Sequence, residues 1–428
     1  MSDTPTRRGY LAGVCLATVG LAGCSESVQD EPANADTSST TNSATVETRT
    51  AETTETQSAT TTEENPIGEA FRVADGVPMF QYDAANTGGS ANRGPAAAPN
   101  EQWSKGFAAG RTSPVVSGEQ VFVAGGRTLR LVNASDGEIV WEKPGGKGTP
   151  ALTGEYVFSP FRNGVVAYRR ADGTELWKTS LEASEYEDMA MSLRSVSVES
   201  GILYAPTTDG SAIAINAETG NVRWRTFLDD GRIEAPVGVS ENGVYVHTWN
   251  TVFGLDVEKG EKQWSINPGS NVGGSSASVT PDTRSAPTCQ DGLVYVGGKD
   301  GVLYAIRSED GTVEWSHEIG YPIFSSPSIH EGVVYFGARD SALHALDSKT
   351  GEPVWETEVD WIIDSHPTVV DGTVYVATND STLYAVDGAS GDVQWTYTFD
   401  DTWSFTAPAV ADGTVYFTTS HGNVTAIE

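Results

Sequence analysis

Short strands with alternating apolar residues, such as Val374-Tyr375-Val376, recur along the chain between tight polar turns. Ahead of most of them stands a run opened by proline, as in Ser326-Pro327-Ser328 and Ala407-Pro408-Ala409. Behind them comes a fixed signature, clearest at Ala345, Asp347, Thr350, Gly351 and Trp355. Its Gly and Trp keep one offset in seven copies: Gly137 with Trp141, Gly173 with Trp177, Gly220 with Trp224, Gly260 with Trp264, Gly311 with Trp315, Gly351 with Trp355 and Gly391 with Trp395. The pattern predicts an all-β chain built from a repeat of about forty residues, each copy being four short antiparallel strands.

Each part of the repeat has a physical reason. The Gly permits positive φ in the turn between third and fourth strands, and the Asp or Thr beside it can hydrogen-bond that turn's backbone. One such sheet cannot bury both faces, so copies must stack radially, and an indole is large enough to fill the wedge between neighbours. The last copy runs through Ala407-Pro408, Val415-Tyr416-Phe417 and Val424 to Glu428 and stops before a fourth strand or a Trp. Trp103, in Asn100-Glu101-Gln102-Trp103, stands upstream of the first complete copy with no strands of its own. Joining the two predicts an eight-bladed β-propeller of four-stranded antiparallel blades, its last blade closed by an N-terminal strand. The blade-docking tryptophans are then Trp103, Trp141, Trp177, Trp224, Trp264, Trp315, Trp355 and Trp395.

The residues that follow the repeat tryptophans are Glu142, Lys178, Arg225, Ser265, Ser316, Glu356 and Thr396, which disfavours the propeller family with a Trp-Asp signature. The motif instead resembles the repeat of the quinoprotein-like, BamB-like propellers. That family includes quinoprotein dehydrogenases and the propeller lipoprotein of the bacterial outer-membrane assembly machine. The resemblance covers Trp103 to Glu428, and Pro78-Met79-Phe80 through Asp83 to Thr87-Gly88 is similar to the lead-in often found before such repeats. It implies a fold and leaves two function classes, a binding or assembly scaffold and a pyrroloquinoline-quinone-dependent dehydrogenase of alcohols or sugars.

The resemblance to the dehydrogenases implies a quinone held against Ca²⁺ near the axis, a catalytic Asp and commonly two adjacent cysteines. The cysteines here are Cys15, Cys24 and Cys289, none adjacent, and Cys289 reads as a small buried apolar filler. His247, His317, His330, His344, His366 and His421 lack metal-ligand spacing. No hydrolase elbow or phosphate loop is found either. The expectation is therefore a scaffold, with no catalytic residue, metal or cofactor assigned.

Composition adds the environment. The formal charge of -32, from 26 basic and 58 acidic residues, argues against nucleic acid as a partner and matches proteins that work in strong salt, so a halophilic, haloarchaeal source is expected. Residues 1–23 read as a signal peptide of twin-arginine type, with Arg7 and Arg8 ahead of an apolar run too short to span a bilayer. It ends in Leu21-Ala22-Gly23-Cys24, which resembles a lipobox and implies a lipid on Cys24. Residues 24–70 read as a disordered tether, since sixteen of the twenty-nine residues from Asp36 to Glu64 are Ser or Thr. Residues 71–428 are left for the propeller, displayed at the cell surface on the outer side of the cytoplasmic membrane.

In a four-stranded blade the turns between second and third strands share a rim with the blade-to-blade connections. Trp177 to Trp224 spans 47 residues and Trp264 to Trp315 spans 51, against 40 for the intervals ending at Trp355 and Trp395, so that rim is lengthened within Leu181 to Arg194 and Asn267 to Arg284. The candidate binding rim is Arg162, Trp249, Lys299, Asp300, Arg339, Asp340, Trp361, Asp364, Trp403 and His421. Charges mixed with aromatics there suit an unidentified protein or glycan partner of a monomer. Glycan acceptor motifs stand at Asn133, Asn379 and Asn423.

Overall fold

A computed structural model describes residues 73–75, 78–90, 92–109, 112–181, 192–249, 251–267, 285–400 and 406–428. They form eight antiparallel sheets of four strands, and none of them is helical. The chain is an eight-bladed β-propeller. The sixth blade shows the plan: an inner strand at Ser328–His330, then Val333–Gly337, Ala342–Asp347 and an outer strand at Pro353–Glu358. Inner strands are short and buried, whereas outer strands alternate exposed and half-buried residues. That gradient follows from the wedge shape of a radial stack.

The repeat signature acts between blades. Gly351 has φ 72°, and a Cβ placed there would lie 2.5 Å from the indole of Trp315 in the preceding blade. Only glycine lets the ring lie flat on that turn. Each indole also packs on an aromatic residue of its own blade, Tyr335 on Trp355 at 5.7 Å and Phe158 on Trp177 at 5.9 Å between ring centroids. Asp347 Oδ1 accepts the Thr350 amide at 2.8 Å, which fixes the turn.

Closure follows the sequence. Glu101–Gly106 is the outer strand of the blade whose other strands are Ala409–Ala411, Thr414–Thr418 and Asn423–Ile427. Asn100 and Glu428 exchange backbone bonds at 2.9 and 3.0 Å, and Trp103 is 6 % exposed. The two ends of the repeat region thus complete one sheet and leave no open edge at the join.

The lead-in before the repeats runs against the inner strands. Inner strands present an unpaired edge toward the centre, and one amide at the same position of several blades is satisfied by this segment. Leu152, Val239, Cys289, Ile329 and Val369 donate to the carbonyls of Pro78, Ala84, Ala85, Thr87 and Gly88 at 2.5–2.8 Å. In the eighth blade the Val410 amide donates to the Tyr82 hydroxyl at 3.2 Å. Gly89–Ser90 then adds a parallel fifth strand to the seventh blade, beside Val369 and Val370. Buried backbone donors need partners, so one segment with no internal repeat staples six blades.

Candidate functional site

The topology places the turns between second and third strands and the blade-to-blade connections on one rim. Arg162 is exposed there on the second blade, Trp249 is half-buried on the fourth, and Lys299 and Asp300 are half-buried on the fifth. Arg339 and Asp340 lie on the sixth, Trp361 and Asp364 in the connection after it, and His421 on the eighth. Trp403 lies outside the described residues, as do Arg7, Arg8, Cys24 and most of the two inserted connections.

The structure brings only some of these residues together. Arg339 grips Asp364 with two bonds, Nε to Oδ1 at 2.9 Å and Nη2 to Oδ2 at 2.8 Å. Its guanidinium lies 4.4 Å over the ring of Phe324. Asp364 is 1 % exposed and also accepts Asn379 Nδ2 at 3.2 Å. A bidentate pair of this kind holds its geometry well. Asp340 is turned inward to His344, with Oδ2 and Nε2 at 2.9 Å, and Asp300 accepts the Tyr304 hydroxyl at 2.5 Å. Those two carboxylates brace their own turns. Trp249 lies 3.5 Å from where a Cβ on Gly231 would stand, and its indole N–H is buried without a partner. His421 lines a cleft with Tyr397, Phe399 and Asp400.

Among the described residues of this rim, two large aromatic side chains are exposed. Trp361 is 55 % exposed and Tyr321, which the sequence reading omitted, 54 %. They occupy equivalent positions of consecutive connections. Two residues on from each, Ile323 and Ile363 are fully buried against Gly297 and Gly337, where a Cβ would stand 2.4 and 2.0 Å from the isoleucines. The signal was present in Tyr321-Pro322-Ile323 and Trp361-Ile362-Ile363, but only the tryptophan was chosen.

Sequence reasoning also missed a cavity of about 490 Å³ on the axis. Part of its wall comes from the residue two places before the inner strand in four of the blades. Those of the first three blades are Ser113, Thr149 and Ser195, and that of the seventh is His366. Backbone-to-side-chain bonds pass between neighbouring blades at this position: Ser113 N to Thr149 Oγ1 at 3.3 Å, Ala286 N to Ser326 Oγ at 2.7 Å and Ser326 N to His366 Nδ1 at 2.7 Å. Phe80 also lines it, its ring meeting His366 edge-on at 5.1 Å and packing on the buried Ala235, Ala286 and Ala407. The charged groups at the opening are Arg127, Lys147, Arg194 and Glu234.

A calcium-supported quinone needs several oxygen ligands, carboxylates among them. Glu234 is the one carboxylate of the lining, and Arg194 binds it at 3.0 Å. No group of three His, Cys, Asp or Glu among the described residues could hold a metal ion. Cys289 is alone and buried, its thiol pushed well up by desolvation. The described residues therefore do not fit the calcium and quinone pair.

The assembly factor BamB of Yersinia pestis is 29 % identical over 199 residues, covering 42 % of this chain and 48 % of its own. The Escherichia coli protein of the same description is 27 % identical over 174 residues, covering 40 % and 43 %. The chain thus spans about half the length of these curated relatives. Among solved structures, BamB from Moraxella catarrhalis aligns with TM-score 0.62 at 14 % identity, over 77 % of this chain and 99 % of that one. The quinohemoprotein alcohol dehydrogenase of Comamonas testosteroni aligns with TM-score 0.65 at 15 % identity, over 82 % and 80 %. At such identities the likeness shows the fold alone. The model of one family, described as outer membrane protein assembly factor BamB, matches residues 96–198, 162–324 and 322–428, so this chain belongs to that family.

Proposed function

We propose that this chain is an exported, membrane-tethered scaffold that docks a protein partner on the rim of the blade-to-blade connections. The observation that carries the reading is a pair of exposed aromatic side chains, Tyr321 and Trp361, set on buried isoleucines beside the locked Arg339–Asp364 pair. Trp, Tyr and Arg are the residues that dominate binding hot spots, and side chains already held in place lose less freedom on docking. Family membership supports assembly of proteins as the class of function. Tethering rests on the Leu21-Ala22-Gly23-Cys24 motif and export on Arg7-Arg8.

The test is cross-linking and co-purification of the full-length protein from its own membranes. The expected result is a polypeptide captured by the native chain and lost from the Tyr321→Ala, Trp361→Ala double variant. Undiminished capture by that variant, or recovery of glycan alone, overturns the reading. Pyrroloquinoline quinone with Ca²⁺ is expected to leave thermal unfolding unchanged and dye reduction absent. Stabilisation together with turnover of alcohols or sugars would favour the dehydrogenase instead.

A further inference from the structure

We propose that the axial cavity is a carboxylate-binding pocket that takes an acidic side chain from the partner polypeptide, an inference that rests on the protein-docking reading above. The chain carries 58 acidic residues against 26 basic ones, yet the opening of this cavity reverses the ratio, with Arg127, Lys147 and Arg194 facing Glu234. Glu234 is held by Arg194 at 3.0 Å, whereas Arg127 and Lys147 have no ion pair among the described residues. A second observation is independent of charge. Ser195 is 1 % exposed and lines the cavity, and its hydroxyl has no hydrogen-bond partner. A buried hydroxyl without a partner is costly to leave unpaired, and a carboxylate oxygen would accept its proton.

The remaining walls suit the stem of a Glu or Asp side chain. Phe80, Ala108, Ala109 and Pro236 make an apolar side, where the local dielectric is low and attraction between a carboxylate and the two cations is stronger than at an open surface. The cavity opens on the same rim as Tyr321 and Trp361, so a polypeptide docked there can present an acidic residue to the axis.

The test measures binding of fluorescent hexaglutamate and hexaglutamine peptides to the full-length protein over a salt series. Hexaglutamate is expected to bind, hexaglutamine not, and Arg127→Gln with Lys147→Gln to weaken the former about tenfold or more. Ser195→Ala is expected to weaken it without removing a charge, which keeps the test usable should the double variant fold poorly. Equal affinity for both peptides overturns the assignment, as does unchanged binding in the folded variants. Binding of free glutarate without binding of the peptide overturns the polypeptide source. If co-purification still depends on Tyr321 and Trp361 while hexaglutamate fails to bind, the pocket is wrong and the scaffold reading stands.

Discussion

The indole of Trp103 donates its N–H to the carbonyl of Ala134 at 2.7 Å, joining the outer strand of the eighth blade to the first. Trp355 makes the same bond to Gly388 at 2.8 Å within the regular part of the ring. The strand that carries Trp103 is therefore a blade component, although it comes from the other end of the repeat region. A chain that begins at Arg111 lacks it, which exposes the edge of Asn423–Ile427 and the faces of two neighbouring blades. Such a chain is expected to unfold earlier and less cooperatively than one that begins at Phe71, by calorimetry or circular dichroism. Coincident transitions would show that the join contributes nothing.

Trp395 differs from the other docking tryptophans in a way that can be measured. Its N–H is buried and has no partner, and the carbonyl at the position equivalent to Gly388, that of Glu428, accepts the Asn100 amide at 2.9 Å instead. Trp355→Phe leaves the Gly388 carbonyl without this donor, whereas Trp395→Phe removes a donor that was never satisfied. The first is expected to destabilise by about 1–2 kcal/mol more than the second in matched denaturant titrations. Trp355→Ala should cost about 3–5 kcal/mol through lost burial and a cavity.

The parts of this fold that repeat were legible, and the parts that occur once were not. Seven Gly and Trp pairs at one offset, with a widowed Trp103 and an unfinished last copy, determine the blades and their closure. Pro78 to Gly88 carry no period, so nothing in their spacing says that they meet the inner strands of six blades. Only the need of those strands for acceptors, visible once they point inward, explains the segment. The rim was legible as a place but not as a set of contacts. Arg339 and Asp364 are 25 residues apart and lock together, while Asp300 and Asp340 turn inward to Tyr304 and His344. The axial pocket was hidden because its residues come from the lead-in and from several blades, and the shared position that Ser113, Thr149, Ser195 and His366 occupy changes residue type from blade to blade.

Asn86 offers a direct test of the axial staple. Its Nδ2 donates to the carbonyls of Val237 at 3.0 Å and Pro287 at 2.9 Å, bridging the fourth and fifth blades from the centre. Asn86 is fully buried and has φ 58°, a conformation that asparagine tolerates better than most residues. Asn86→Ala strands both carbonyls and strains the turn, and a loss of about 2–4 kcal/mol is expected from the two effects together. Hydrogen exchange should then rise at Val239 and Cys289, whose amides bond the same segment. Protection unchanged at both residues would mean that the segment is not what holds these inner strands.

His247 gives the fold a dependence on acid whose sign is fixed by its surroundings. The ring is 4 % exposed, and Nδ1 lies 3.0 Å from the Ser285 carbonyl, an acceptor only, so the neutral ring donates there. Burial lowers its pKa from 6.5 to about 4. Above the ordinary value the folded and unfolded chains are both neutral at this residue, and its contribution is fully present. As pH falls the unfolded chain takes up a proton that the folded chain refuses, so stability declines through this window and levels off below about 4. A shift of that size corresponds to roughly 3 kcal/mol. Asp83 acts in the opposite direction, because burial raises its pKa and its contribution is lost as pH rises. It therefore cannot mimic the histidine. His247→Asn keeps an N–H for Ser285 and removes the titration, so its stability curve should be flatter than that of the native chain between about 6.5 and 4. Parallel curves for the two proteins in urea titrations across that range would show that His247 is not the group responsible.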